Sequence, residues 1–337
     1  MSDMIKIVKK IILLVCVWFL FYSACFMAII SWSGKGFNKS YNSAIQRKYD
    51  NLISTNDPKI IILGGSSAAF GFNVKRLEEA SGYKIVNMGL HAGFGGLFNM
   101  EIGKQNINKG DIVLLALEYG WYAENYFQDI SVDLVMCGLD NRLDMYSIIP
   151  LNKLDGILGY LWTYADKKIE SIRSHSYGIV ENSVYSIDSF DEKGDMIFDR
   201  PTNILTDEYY NKQTSLYGQE DLSNVAISEK SKAYLKEYKL FVESKGAKIY
   251  FVGVPLLDEA KVSSDESFQS LANSVNKEIG IKYISNPLDY LFPSELMYDT
   301  IYHCNDKGAN KRTDILISDL TSTKIIEKVG VKWNNHQ

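Results

Sequence analysis

From Pro58 onward, short apolar runs bounded by glycine alternate with amphipathic stretches. Lys59-Ile-Ile-Ile-Leu-Gly has no polar alternation, so it reads as a strand covered on both faces. Val74 to Ser81 reads as a helix that stops at Gly82, followed by a strand at Lys84 to Asn87. Residues 111–118, Asp-Ile-Val-Leu-Leu-Ala-Leu-Glu, form a second run of buried-strand type. Tyr234, Leu235, Tyr238, Phe241 and Val242 then mark one face of a helix ending at Gly246. A strand over 248–254, a helix over 266–279 and a short strand over 281–284 complete the rhythm. Strands alternating with helices predict an α/β domain built on a parallel sheet with helices on both faces. Between about 124 and 221 the rhythm is lost, and Tyr, Asp, Ser and Asn predominate. That stretch is expected to be an insertion on the carboxyl side of the sheet.

The N-terminus follows another pattern. Residues 11–32 carry no charge, and Lys6, Lys9 and Lys10 precede them. About twenty apolar residues at helical rise cross a bilayer core, and Trp18, Tyr22 and Trp32 supply aromatics. A cleaved signal peptide has a shorter apolar region and a small-residue cleavage site. Lipoprotein processing at Cys25 is disfavoured by the apolar residues that follow it. The expected organisation is a cytoplasmic tail (1–10), a transmembrane signal anchor (11–32), a stalk (33–56), the α/β domain (57–325) and a tail (326–337). Lys35 and Lys39 after the span leave only a small charge bias toward a cytoplasmic N-terminus.

Composition narrows the function classes. The formal net charge is −5, and no Lys/Arg-dense stripe interleaves with aromatics, which argues against a nucleic-acid partner. Four cysteines in 337 residues do not make a disulfide framework. Cys16 and Cys25 lie in the apolar run, and Cys137 and Cys304 are expected to be free and buried. No second histidine stands at ligand spacing from His303, so neither a metal nor another cofactor is expected.

Two segments carry candidate chemistry. Leu63-Gly64-Gly65-Ser66-Ser67-Ala68-Ala69-Phe70-Gly71 places paired serines where a buried strand turns into a helix. In open parallel sheets ligands sit beyond the carboxyl ends of strands, and helix N-terminal N–H groups can hold an oxyanion. A serine that merely caps the helix is the competing reading; a phosphate loop lacks its lysine spacing. The second segment, Asp299-Thr-Ile-Tyr-His303-Cys-Asn-Asp306, sets a histidine between carboxylates before a C-terminal helix. A serine nucleophile needs a base, and the base an orienting acid.

The order of these segments resembles the SGNH (GDSL-like) hydrolase superfamily. Gly65-Ser66-Ser67 with Gly71, Asn87-Met88-Gly89-Leu90-His91-Ala92-Gly93, and Asp299 to His303 with Gly308 are similar to its first, second and last blocks. The resemblance covers about residues 58–322 without the insertion. It leans toward membrane-anchored members: the D-alanyl transfer protein of teichoic acid modification and accessory O-acetyltransferases of exopolysaccharides. It implies a three-layer, flavodoxin-like domain with Ser67 as nucleophile, by its spacing to Gly71, and His303 as general base. The backbone N–H groups of Ser67 and of Gly93 or Ala92 would form the oxyanion hole, with Ser66, Asn87, His91 and Glu118 around the substrate. Two departures stand out. The third block ends Leu117-Glu118-Tyr119-Gly120 without the family's asparagine, and Asp299 lies four residues before His303 where the family's acid lies three. The implied function is an extracytoplasmic, membrane-anchored acyltransferase acting on a cell-surface polysaccharide or polymer, with a membrane-bound O-acyltransferase as acyl supplier. An esterase or deacetylase using the same residues, and a non-catalytic carbohydrate-binding scaffold, are the alternatives.

Overall fold

Strand β1 (Lys59–Gly64) is buried along its whole length, and its side chains alternate between two cores. Ile61 and Leu63 pack on one side of the sheet, Ile60 and Ile62 on the other. Strand β3 (Ile112–Ala116) repeats the division, with Val113 and Leu115 opposed to Ile112 and Leu114. Side chains of a strand alternate faces, so covering both faces erases the polar alternation and leaves the unbroken apolar runs seen in the chain.

The computed structural model describes residues 2–32, 37–122, 127, 129–174, 183–205 and 219–327. In chain order the remaining elements are α1 (Ser2–Ser31), α2 (Ala44–Ser54), α3 (Ser66–Phe70), α4 (Val74–Ser81), β2 (Lys84–Asn87) and α5 (Gly95–Gly103). Then come α6 (Val132–Gly138), α7 (Leu143–Tyr146), α8 (Leu154–Ser174), α9 (Glu229–Ser244), β4 (Lys248–Phe251) and β5 (Leu256–Leu257). The last are α10 (Asp265–Ser274), β6 (Lys282–Tyr283), β7 (Leu291–Phe292) and α11 (Asp306–Ser322). Five strands form one parallel sheet in the order β2-β1-β3-β4-β6, and β5 pairs with β7. The expected α/β architecture with a parallel sheet and an apolar N-terminal helix is present.

Boundaries differ from expectation where main-chain pairing stops before apolarity does. The runs over 111–118, 248–254 and 281–284 supply strands only at 112–116, 248–251 and 282–283. The helix expected over 266–279 starts at Asp265 and passes at Val275 into a wider π turn. Gly82, at φ 72°, ends α4 as expected, since glycine accepts the left-handed conformation of a helix cap.

The stalk expectation requires correction. Residues 33–36 lie outside the described part, but Phe37, Tyr41, Ala44, Ile45 and Leu52 are buried in the main core. They line one side of α2 and the turn before it, a helical spacing masked by the polar residues between them. Lys48 is buried on that same face, where its ammonium donates to the Asn87 carbonyl (2.8 Å) and burial pulls its pKa down to about 8.

Within the insertion, α6 and α8 pack on each other, and α8 packs against α1. Lys168 and Asp140 form a fully buried ion pair, joined by the Tyr164 hydroxyl. Lys168 also donates to the Trp32 carbonyl (2.5 Å), tying the end of α1 to the domain. Residues 123–126, 128, 175–182 and 206–218 of this region, and 328–337 of the expected tail, fall outside the described residues. Helix Met4–Ser31 is long and apolar enough to cross a membrane.

A second buried ion pair staples β1 to β3. Lys59 Nζ lies 2.8 Å from Asp111 Oδ2, both side chains fully enclosed, and Asp111 also accepts from the main-chain N–H groups of Lys59 and Asn108. Asp111→Ala leaves the ammonium uncompensated and should destabilise by about 3–5 kcal/mol in denaturant unfolding. A loss below about 1 kcal/mol would contradict the role given to this pair.

Candidate active site

The turn after β1 is shaped by what presses on it. A Cβ at Gly64 would stand 2.6 Å from the Ala116 carbonyl oxygen, and one at Gly65 would stand 2.7 Å from Glu118 Oε1. Gly64 is therefore required by the close approach of the end of β3, while Gly65 leaves room for the Glu118 carboxylate. With β1 ending at Gly64, α3 begins at Ser66. The Asn87 amide donates to the Ala68 carbonyl (2.9 Å) and its oxygen accepts from Gly89 N–H (3.0 Å), locking the exit of β2 to α3. Asn87 is thus a structural tie and not a pocket residue.

A cavity of about 760 Å³ opens beyond the carboxyl ends of β1, β2 and β3. Ser66, His91, Glu118 and His303 line it, together with Tyr185 and Glu220 from the insertion. Ser66 is partly exposed there. Ser67 is fully buried, its Oγ has no hydrogen-bond partner among the described residues, and it does not line the cavity. Spacing to Gly71 pointed to Ser67; the cavity points to Ser66. Successive helical residues diverge by about 100°, so only one hydroxyl of the pair can face the same space. No hydrogen bond joins His303 to either serine among the described residues.

The histidine and its acid are brought together. His303 Nδ1 lies 2.7 Å from Asp299 Oδ1, despite the four-residue spacing. The connecting turn is stabilised by Thr300 Oγ1, which accepts from His303 N–H (3.1 Å), and by the Tyr298 N–H donated to the His303 carbonyl (2.8 Å). The ring lies flat on Phe70 of α3, with centroids 4.0 Å apart. Tyr185 donates to the other oxygen of Asp299 (2.5 Å). Burial pushes the Asp299 carboxyl up, but the hydrogen bond and charge of His303 outweigh it and hold the pKa below the usual value. With Nδ1 engaged, Nε2 is the ring nitrogen left to serve the cavity. Asp306, at the start of α11, instead contacts Arg200, while Asn305 caps that helix by accepting from Gly308 N–H (2.9 Å).

Two of the three expected oxyanion donors are engaged elsewhere. Ser67 N–H donates to Glu118 Oε1 (2.9 Å), and Gly93 N–H donates to His91 Nδ1 (2.9 Å). Burial, reinforced by His303, lowers the His91 pKa.

Reading the sequence did not anticipate Tyr41, Trp121, Tyr185, Glu220 or Tyr302 in this cavity. Among the described residues the lining contains two carboxylates, Glu118 and Glu220, and no Lys or Arg. Tyr302 donates to Glu220 (2.5 Å). Burial raises the Glu220 pKa, the Tyr302 bond moderates the rise, and the negative charge of Glu118 adds to it. Cys137 and Cys304 are both free and buried, as expected.

Removing the Tyr302 hydroxyl withdraws a hydrogen bond that favours the charged form of Glu220. Tyr302→Phe should therefore raise the pH at which this carboxyl protonates, read as a shifted midpoint in an infrared carboxyl titration. An unchanged or lower midpoint would contradict the assignment. Comparison with known proteins adds no family: no family model and no curated protein matches this chain.

Proposed function

We propose that the protein is a membrane-anchored serine acyltransferase of the SGNH type, acting outside the cytoplasm on hydroxyls of a cell-surface polysaccharide or polymer. The observation that carries this reading is His303, held 2.7 Å from Asp299, in a cavity it shares with a serine at the start of α3. The sheet order supports it too: β2-β1-β3-β4-β6 is the flavodoxin-like order with its sites at the carboxyl ends of the strands.

The chemistry assigns Ser66 as nucleophile, in place of the Ser67 that spacing suggested. Ser66 Oγ passes its proton to His303 Nε2 and bonds to the acyl carbonyl carbon, forming a tetrahedral adduct. The adduct collapses, the donor oxygen leaves with the proton from His303, and an acyl-serine remains. An acceptor hydroxyl then loses its proton to His303 and takes the acyl group, restoring the serine. Asp299 fixes the tautomer and stabilises the imidazolium formed in each half. Water in the acceptor's place gives the esterase reaction, so exclusion of water sets the balance.

A second reading, a carbohydrate-binding scaffold without catalysis, is favoured by Glu118. Its carboxylate occupies the Ser67 N–H that an oxyanion would need. Kinetics with an activated acetyl ester separate the two. An enzyme should lose roughly 10⁴-fold or more with Ser66→Ala or His303→Ala, and roughly 100-fold less with Asp299→Asn, because orienting acids contribute less. Ser67→Ala should retain most activity. Glu118→Gln keeps an oxygen acceptor for Ser67 N–H while removing the charge, and should raise the rate. A wild-type rate equal to that of Ser66→Ala would establish the scaffold reading.

A further inference from the structure

Helix α8 leaves a row of large apolar side chains uncovered. Leu151 just before it is 85% exposed, Leu158 64% and Trp162 56%. An exposed apolar ridge on a helix is unfavourable in water unless something covers it. Its neighbour indicates what does. Trp162 packs on Tyr22 and Phe26 of α1, with ring centroids 5.4 and 4.9 Å apart. Leu158 and Phe19 line the same shallow groove between the two helices.

The contacts run in the same order along both helices. Trp162 meets Tyr22 and Phe26, and six residues later Lys168 meets the Trp32 carbonyl. Tyr22 lies ten residues before Trp32, about 15 Å at helical rise. That is half of a hydrocarbon core about 30 Å thick. The ridge therefore stands beside a stretch of α1 that belongs to the apolar run. The sequence agrees: residues 156–165, Gly-Ile-Leu-Gly-Tyr-Leu-Trp-Thr-Tyr-Ala, carry no charge, whereas Asp166, Lys167 and Lys168 follow at once.

We propose that the first half of α8 is a lipid-immersed helix that runs into the bilayer alongside α1, its Leu158–Trp162 ridge facing the acyl chains. This rests on α1 being a membrane span and is independent of any catalytic role. Asp166 and Lys167, next to the Trp32 end of α1, mark the headgroup level, and the uncharged residues 156–165 run inward from it. Two apolar elements then hold the domain, which fixes its orientation to the membrane and not merely its distance. Tyr41 follows Trp32 by nine residues, so the cavity it lines stands within about 30 Å of the end of the span.

Spin labels on the full-length protein in phosphatidylcholine/phosphatidylglycerol nanodiscs test the placement. One label sits on native Cys16 of α1, one on Leu158→Cys and one on Lys236→Cys of α9, each with the other exposed cysteines replaced by alanine. At 158, relaxation should be enhanced more by oxygen than by a water-soluble nickel chelate, as at 16, with the reverse at 236. A label at 158 that follows 236 overturns the proposal, as does one shielded from both reagents, which would mean a protein partner or a second copy covers the ridge. An aqueous response at 16 would overturn it by removing the span itself.

Discussion

A buried guanidinium with no carboxylate partner among the described residues holds the centre of this protein together. Arg312 of α11 is fully enclosed; Nη1 donates to the Ser67 carbonyl (2.6 Å) and Nη2 to the Gly253 carbonyl (3.1 Å). Its plane lies over Phe72, 4.0 Å from the ring centroid, and burial draws its pKa down to about 10. Removing such a charge from water carries a penalty of several kcal/mol. The fold tolerates it only when the turn after β1 and the exit of β4 both present their carbonyls. One side chain thereby registers the serine turn, the sheet and the last helix against one another. Gly71 follows from the same contact, since a Cβ there would stand 2.2 Å from Nη1.

The site inherits its geometry from that registration. Helix α3 carries Ser66 at its first position and Phe70 at its last, and Phe70 is the surface on which His303 lies. The loop bearing His303 and Asp299 leads directly into α11, so Arg312 anchors both halves of the candidate chemistry. Arg200 adds a further link by donating to the Phe70 carbonyl (3.3 Å) and pairing with Asp306. The cavity is thus a consequence of packing behind it, while its lining is supplied by loops in front.

How much of this was legible in the chain depends on whether the signal is local. Buried parallel strands announce themselves as unbroken apolar runs, so β1 and β3 could be read directly, and the helix stops at Gly82 and Gly246 were equally local. Helix α2 is hidden in the chain because its apolar face at 44, 45 and 52 is interrupted by Lys48, a charge that burial against Asn87 absorbs. His303 and Asp299 were legible as a pair, since only a few turns can join residues four apart in a loop. Ser66 and Ser67 differ by rotation alone, and rotation depends on where β1 stops. Tyr185 and Glu220 come from an insertion without periodicity, and nothing local directs them to the cavity.

The central claim is that Ser66, served by His303 and Asp299, is the residue that accepts an acyl group. Reaction of the detergent-solubilised protein with a fluorophosphonate probe, followed by peptide mass mapping, addresses it most directly. The expected result is a single adduct on Ser66, absent when His303 is replaced by alanine. An adduct on Ser67, or no adduct on a protein whose unfolding remains cooperative, would contradict the assignment.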